Sequence, residues 1–410
     1  MLGQNHSRKG FTTIYRQPRP VPVVDPTIGA HTVKRGLLVA KGYYLLFFGA
    51  IGCLAPFLNV YLMQKGITGT QIGWLGSIAP MIALVANPIW GTIADRWQIH
   101  RQVLALCALV AGTVTLFFLQ VENFWTFVWL ITVLTFFRTP IGAIVDSTVM
   151  DMVKRGNASY GRQRLWGTIG FVLVSFGLGQ LLTSDDLSLV FWLHTAFMGV
   201  GCVVLSFFLP VESAEQRVGI KQGIRVLVRQ RNYMSLLIAA IFFGMGMAGY
   251  VSFLALQILA LGGTGQQIGL GWAANAVLEI PIMYFGGRWF ARYGYRRLFL
   301  MSLLGFALIW ALVGLSLTPA HVIMVVLGAG VCFGIFWVAV VGYASAAAPP
   351  GLSATAQALI AAGITGLGWS LGSVTAGYLW DNISGHAVFF FGACMSILAV
   401  LIFWLGSQEA

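Results

Sequence analysis

The stretch Gly91–Arg101, GTIADRWQIHR, ends one long apolar run and leads into the next. Its surroundings return 196 positions later. Gly69, Gln71, Ile72 and Gly73 recur as Gly265, Gln267, Ile268 and Gly269. Gly91, Arg96 and Arg101 recur as Gly287, Arg292 and Arg297. One register thus aligns an apolar segment and its charged exit with a second copy, and the chain reads as two related halves.

The runs around these copies are membrane spans. Of 410 residues, 58% are hydrophobic and 9% charged, with a mean hydropathy of +0.84. A soluble chain carries about 25% charged residues. Crossing about 30 Å of hydrocarbon takes about 20 apolar residues in a helix. The runs have that length, whereas barrel strands are short and alternating. The expected fold is all-α and integral to the membrane: twelve transmembrane helices in two pseudo-symmetric six-helix bundles. The spans are expected near 37–64, 70–94, 101–120, 124–152, 163–183, 187–210, 232–260, 266–290, 297–317, 319–346, 353–379 and 385–406. The domains that follow are a flexible basic tail (1–36), an N-terminal bundle (37–210), a charged linker (211–231) and a C-terminal bundle (232–410).

All Lys and Arg except Lys41, Lys65 and Arg138 fall on one side of these spans. The positive-inside rule then puts both termini in the cytoplasm of a plasma (inner) membrane protein. It also accounts for the net charge of +12 without any nucleic-acid partner. The five cysteines lie inside apolar runs with no CxxC spacing, so neither a disulfide framework nor a metal site is expected. Nothing resembles a catalytic triad or a phosphate-binding glycine loop. No enzyme activity and no cofactor are expected.

Twelve spans, an internal duplication and a charged middle loop resemble the major facilitator superfamily. Gly91, Asp95, Arg96, His100 and Arg101 match that family's loop motif, with Gln98 where Gly is usual. The second copy keeps Gly287 and Arg292 but has Ala291 in place of the acid. YGRQRLWGTIGF (Tyr160–Phe171) and the Leu352–Asp381 stretch are similar to the lactose-permease-like branch, which contains oligosaccharide, nucleoside and phenylpropionate permeases coupled to protons. The resemblance implies rocking of two halves about a central substrate. It also makes the Gly91–Arg101 turn a cytoplasmic gate in which Asp95 latches a neighbouring loop.

Charged groups inside a bilayer are costly, about 2.5–3.5 kcal/mol at a helix centre, and are candidates for function. Arg138 lies in span 4, with Asp146 eight residues on, about 12 Å of rise. Arg138 is expected to hold an anionic or hydroxyl-rich ligand, or else to pair between helices. Glu279 is the one acid inside a span of the second half, with Asn275 a turn earlier on the same face. An apolar setting favours the neutral form of a carboxyl, which suits proton coupling. By the resemblance, Arg164 falls where lactose permease contacts sugar, and Phe171 where that protein stacks an indole. The permease's helix-10 His–Glu proton pair has no counterpart: Gly334 takes the Glu position, and His321 sits at the span's outer end. Proton coupling is therefore assigned to Glu279 and Asp146. Tyr44, Phe48 and Tyr61 of span 1 offer a stacking wall. Lys41 reads as snorkelling to the interface or pairing with Asp146 or Asp151, and His194 as structural or interfacial.

The expected function is proton-coupled symport of a small organic solute (sugar, nucleoside or aromatic acid) by a monomer whose partners are the solute, protons and lipid. A proton-driven efflux antiporter is the alternative, although span 5 lacks the GPxxGG-like stretch of exporters. A non-transporting receptor is the remote one.

Overall fold

A computed structural model describes residues 26–156, 158–182, 186–210, 225–349 and 352–407; the side chains of 26–32, 283–291 and 354 lie outside it. In lipid the backbone must satisfy its own hydrogen bonds, which leaves helices as the solution for runs of this length. Among the described residues there is no strand. The helices are α1 Pro26–Gln64, α2 Gly69–Trp97, α3 His100–Val114 with a 3₁₀ extension to Gln120, α4 Phe124–Gly156 and α5 Tyr160–Leu181. α6 is Ser188–Phe208 and α7 is Arg231–Ala260. The run Gly265–Leu315 breaks at Gly294 into α8 (265–293) and α9 (295–315). α10 is Pro319–Ala347, α11 spans Ser353–Ala361, a π turn and Trp369–Asn382, and α12 is Gly385–Gly406. Among the described residues, eleven helices are long and apolar enough to cross a membrane. The eleven do not include α8, whose side chains at 283–291 are outside the described set.

One boundary differs from expectation. α1 starts at Pro26, so residues up to 36 assigned to the tail are helical. The reason is packing: a Cβ at Gly36 would meet Pro210 Cγ at 2.6 Å and Met152 Sδ at 2.7 Å. Residues 1–25 and 211–224 of the expected tail and linker lie outside the described residues.

The 196-residue register reappears in the backbone. Gly66 (φ 79°) and Gly262 (φ 86°) make matching left-handed turns. The Gln71 side chain accepts from Thr68 N–H at 3.0 Å, and Gln267 accepts from Thr264 N–H at 3.1 Å, each closing a helix start. Gln98 (φ 55°) matches Gly294 (φ 74°) at the next turn. Gln98 is the one non-glycine with positive φ among the described residues, which gives the physical reason for glycine at this point of the motif.

The halves meet at the face carrying turns 65–68 and 261–264. Backbone packs on backbone there: a Cβ at Gly73 would lie 2.4 Å from Ser373 O, and one at Gly269 would lie 2.5 Å from Ser175 O. Asn59 Nδ2 donates to Ser252 O (2.9 Å), Ser370 Oγ to Ser77 O (3.2 Å) and Gln266 Nε2 to Gln180 Oε1 (2.7 Å). Gly69 and Thr70 N–H donate to the two carboxylate oxygens of Asp381 at 2.8 and 2.7 Å. Each of these residues lies in the half of its helix nearest this face. α4, by contrast, packs on α1, α2, α3 and α5, while α10 packs on α7, α11 and the α8–α9 run, so neither bridges the halves. Among the described residues, the hydrogen bonds and glycine contacts between the halves named here lie at this one face.

Candidate substrate site

The site begins where the seal ends, and its first wall comes from the N-terminal half. Tyr160, Arg164, Gly167 and Phe171 recur at helical spacing and share one side of α5. That side packs on α1 at backbone distance, because a Cβ at Gly170 would lie 2.1 Å from Leu45 O. Gly167 leaves room for a ring: its Cβ would strike Phe48 Cδ2 at 2.6 Å. Phe48 fills that space, and the Arg164 guanidinium lies 3.7 Å from its centroid and 5.8 Å from that of Tyr44. Such a cation–π contact is worth about 0.5–2 kcal/mol, and it holds the donor fork without using its N–H groups.

Asp146 of α4 is fixed beside it. Tyr44 Oη donates to Asp146 Oδ1 at 2.5 Å, and Tyr160 Oη donates to the same oxygen at 3.0 Å. Hydrogen bonds to a charged group contribute about 1.5–3 kcal/mol each. The second carboxylate oxygen is left to other partners. Tyr44 is 1% exposed, so it serves as a clamp on Asp146 and as the floor under Arg164.

α8 supplies the facing wall. Trp272, Asn275 and Glu279 follow at i, i+3 and i+7 and share a side. The Trp272 ring meets Phe171 edge-on across the halves, with centroids 6.2 Å apart and planes at 64°. Asn275 Nδ2 donates to Tyr250 Oη of α7 at 3.1 Å. Glu279 lies within electrostatic reach of Arg164. Among the described residues neither Arg164 nor Glu279 forms a hydrogen bond or ion pair. A cation and an acid thus face each other from opposite halves with their polar atoms uncommitted. Two buried groups at the seal also lack any protein partner: Trp272 Nε1 and Ser373 Oγ.

The structure brings together Tyr44, Asp146, Arg164, Phe171, Asn275 and Glu279, and adds Tyr160 and Trp272, which sequence reading did not single out. The heptad-like recurrence along α5 from Arg164 was the signal for Tyr160; Trp272 carried none beyond its place on the Glu279 side of α8. Arg138 is not drawn into this group. Its charge acts on His194 of α6. His194 is fully buried with Nδ1 3.1 Å from Thr115 Oγ1. Tyr61 donates to Phe118 O at 2.8 Å and packs on Phe191, away from the site. Lys41 Nζ sits 6.0 Å from the Trp166 centroid. A surface cleft at the sealed face, lined by Tyr61, Lys65, Glu122 and Asp186, holds none of these central groups.

The loop motif lies at the far, basic face. Asp95 Oδ1 is 2.8 Å from His100 Nε2 within its own turn, its side chain 59% exposed. Arg292 packs over Tyr293 at 5.4 Å. Gly91 has open space where a Cβ would point. Arg96 and Arg101 are exposed beside the turn. Gly287 falls among the residues whose side chains lie outside the described set.

Membrane-spanning helices in two halves that meet over uncommitted charges fit a multi-pass solute transporter, not an enzyme. The MFS_1 like family matches residues 37–391, and the chain belongs to that family of major facilitator transporters. It is 28% identical over 365 residues to a maltose permease of Geobacillus stearothermophilus, covering 88% of this chain and 92% of that one. It is 25% identical to a probable 3-phenylpropionic acid transporter of Escherichia coli (strain K12), covering 89% and 96%. The crystal structure of the nucleoside transporter NupG shares the fold, with a TM-score of 0.80 at 17% identity over 92% of this chain and 100% of that one.

Proposed function

We propose that this protein is a proton-coupled symporter that imports a small, ring-bearing organic solute by alternating access. The observation that carries the reading is the placement of Arg164 on Phe48 and Tyr44, opposite Glu279 of the other half and directly beneath the seal. Solute hydroxyls or a carboxylate take the free N–H fork of Arg164. The sugar ring, nucleobase or arene lies against Phe171 and Trp272. Glu279 carries the coupled proton, with Asp146 as the second acid of the site. The protonation state of Glu279 decides whether Arg164 faces a counter-charge or a neutral group, which ties solute binding to proton binding. The names of the maltose and phenylpropionate relatives support this range of solutes.

On this reading the helices make twelve crossings, α8 included, and the N-terminal and C-terminal bundles of 37–210 and 232–410 rock as units. The basic loops and both termini lie on the cytoplasmic side of the inner membrane. The structure then represents the inward-facing state, and Asp95, bound to its own turn, has let go of the other half.

The test is uptake into right-side-out vesicles of maltose, uridine and 3-phenylpropionate, chosen first by thermal shift, since a ligand raises apparent stability by RT ln(1 + [L]/Kd). A pH gradient should drive accumulation of the binder. Glu279→Gln should abolish accumulation while leaving solute exchange. Gradient-driven accumulation that survives in both Glu279→Gln and Asp146→Asn at every pH sinks the proton assignment.

A further inference from the structure

We infer that Asp381 is an acid-releasable latch: its carboxylate, at the end of α11, holds the outer face shut by capping the first turn of α2, and a proton from the outer medium lets it go. The inference rests on the orientation proposed above. The sequence marks Asp381 only as the end of a glycine-rich stretch. In the fold it is the negative group at the α2 helix start. α2 has no acid of its own in its first turn. Its first two N–H groups go instead to Asp381 Oδ1 and Oδ2, at 2.8 and 2.7 Å, across the boundary between the halves. A helix start carries partial positive charge and prefers an anion. Both oxygens are engaged, one per N–H, so protonating either converts an acceptor into a donor facing another donor.

At the second copy of this junction the contact among the described residues is between amides. Where α8 begins against α5, Gln266 Nε2 donates to Gln180 Oε1 at 2.7 Å. Below both, the packing is glycine against backbone, at Gly73, Gly377, Gly179 and Gly269. Such surfaces separate without breaking charged contacts, so among the described residues the Asp381 cap is the titratable contact between the halves.

The neighbouring elements carry few other titratable groups. The α1–α2 turn holds Lys65, ion-paired with Glu122 at 3.3 Å. The start of α12 holds His386, whose Nδ1 lies 2.8 Å from Gly314 O and 3.4 Å from Gln257 Nε2. α2 offers Thr68, Thr70 and Gln71, and α7 offers Gln257, none of which titrates. The same two N–H bonds favour the ionised carboxyl, so the latch lets go only in a medium more acid than a free carboxylate needs.

The experiment is a thiol-accessibility measurement on the full chain. Cys332 and Cys394 are replaced by Ser, and Ser252→Cys is introduced; Ser252 is 8% exposed and its hydroxyl lies 3.9 Å from the Cβ position of Gly76, inside the seal. A membrane-impermeant thiol reagent is added outside, with its rate normalised to exposed Asp186→Cys. Asp381→Asn should raise labelling about tenfold, the loss of one charge-assisted hydrogen bond. The rate should then be flat in outer pH, whereas the parent should approach that rate as the medium is acidified. Thr70→Pro removes one N–H in the first turn of α2, where no intrahelical bond is lost, and should also raise labelling. Asp381→Glu should restore the slow rate. Unchanged labelling in folded Asp381→Asn and Thr70→Pro overturns the latch. So does a pH response that survives Asp381→Asn or disappears with His386→Asn. Repeating the series with Glu279→Gln separates the readings: a pH response that persists there supports the latch whatever becomes of the coupling assignment.

Discussion

Replacing Gly73 by Val should trap the transporter with its sealed face open. The Cβ of residue 73 would stand 2.4 Å from Ser373 O and 3.1 Å from Gly377 Cα, and both obstacles are backbone. Carbon and oxygen settle at about 3.5 Å, so α2 and α11 must part by roughly 1 Å before either γ-methyl is placed. Overpacking of this kind costs about 1–3 kcal/mol, and only the sealed state bears it. The ratio of sealed to open molecules should fall by roughly 5- to 150-fold. Net uptake should drop in proportion, while solute binding from the outer side is kept or improved, read by thermal shift and by labelling of Ser252→Cys. Gly269→Val, with 2.5 Å to Ser175 O, should behave alike. Gly177→Val meets nothing within 4 Å and should leave transport intact. Full-rate uptake by Gly73→Val would refute the claim that these helices must touch for turnover.

Arg164→Lys keeps the charge but loses the flat fork, and should weaken solute binding by about 10- to 100-fold in a Kd measurement while the protein stays folded. Tyr160→Phe removes one hydrogen bond to Asp146 and should weaken binding by about 10-fold, less than Tyr44→Phe, which also disturbs the Arg164 platform. Gly294→Ala forces an L side chain into a conformation (φ 74°, ψ 156°) suited to glycine and should destabilise by about 1–3 kcal/mol, seen as a lower Tm. Asp95→Asn should slow transport more than Arg292→Gln, since the second copy has lost its acid at Ala291; equal effects in an uptake assay would void that asymmetry.

The turn around Gly91–Arg101 made the duplication legible because glycines, caps and charges at helix ends are local devices that repeat with the backbone they shape. The capping glutamines and the Gln98–Gly294 pair needed no tertiary knowledge. Glu279 was likewise visible as a charge inside an apolar run, whereas Arg164 stood out only through the resemblance of its GRQR stretch. What periodicity does not encode is which side of a helix meets which neighbour. Arg138 has the composition of a ligand group, yet its charge acts on buried His194 of α6. Tyr61 shares α1 with Tyr44 but sits several turns nearer the sealed end, with Phe118 and Phe191. Tyr160 and Trp272 gained significance only from partners far away in sequence, Asp146 and Phe171. The helix reaches back before residue 37 where Gly36 packs close to Met152 and Pro210, a tertiary contact that hydropathy does not encode.

Trp272 Nε1 and Ser373 Oγ, left without partners where the halves close, give the seal a property of its own. A buried polar group with no hydrogen bond costs about 1–3 kcal/mol, and each of these regains water when the halves part. The closed face is thus loaded like a spring at both junctions, α5 with α8 and α2 with α11. Methyl groups in their place would make a tighter door and a slower one. Imperfect polar matching at the boundary keeps the two states close enough in free energy to interconvert.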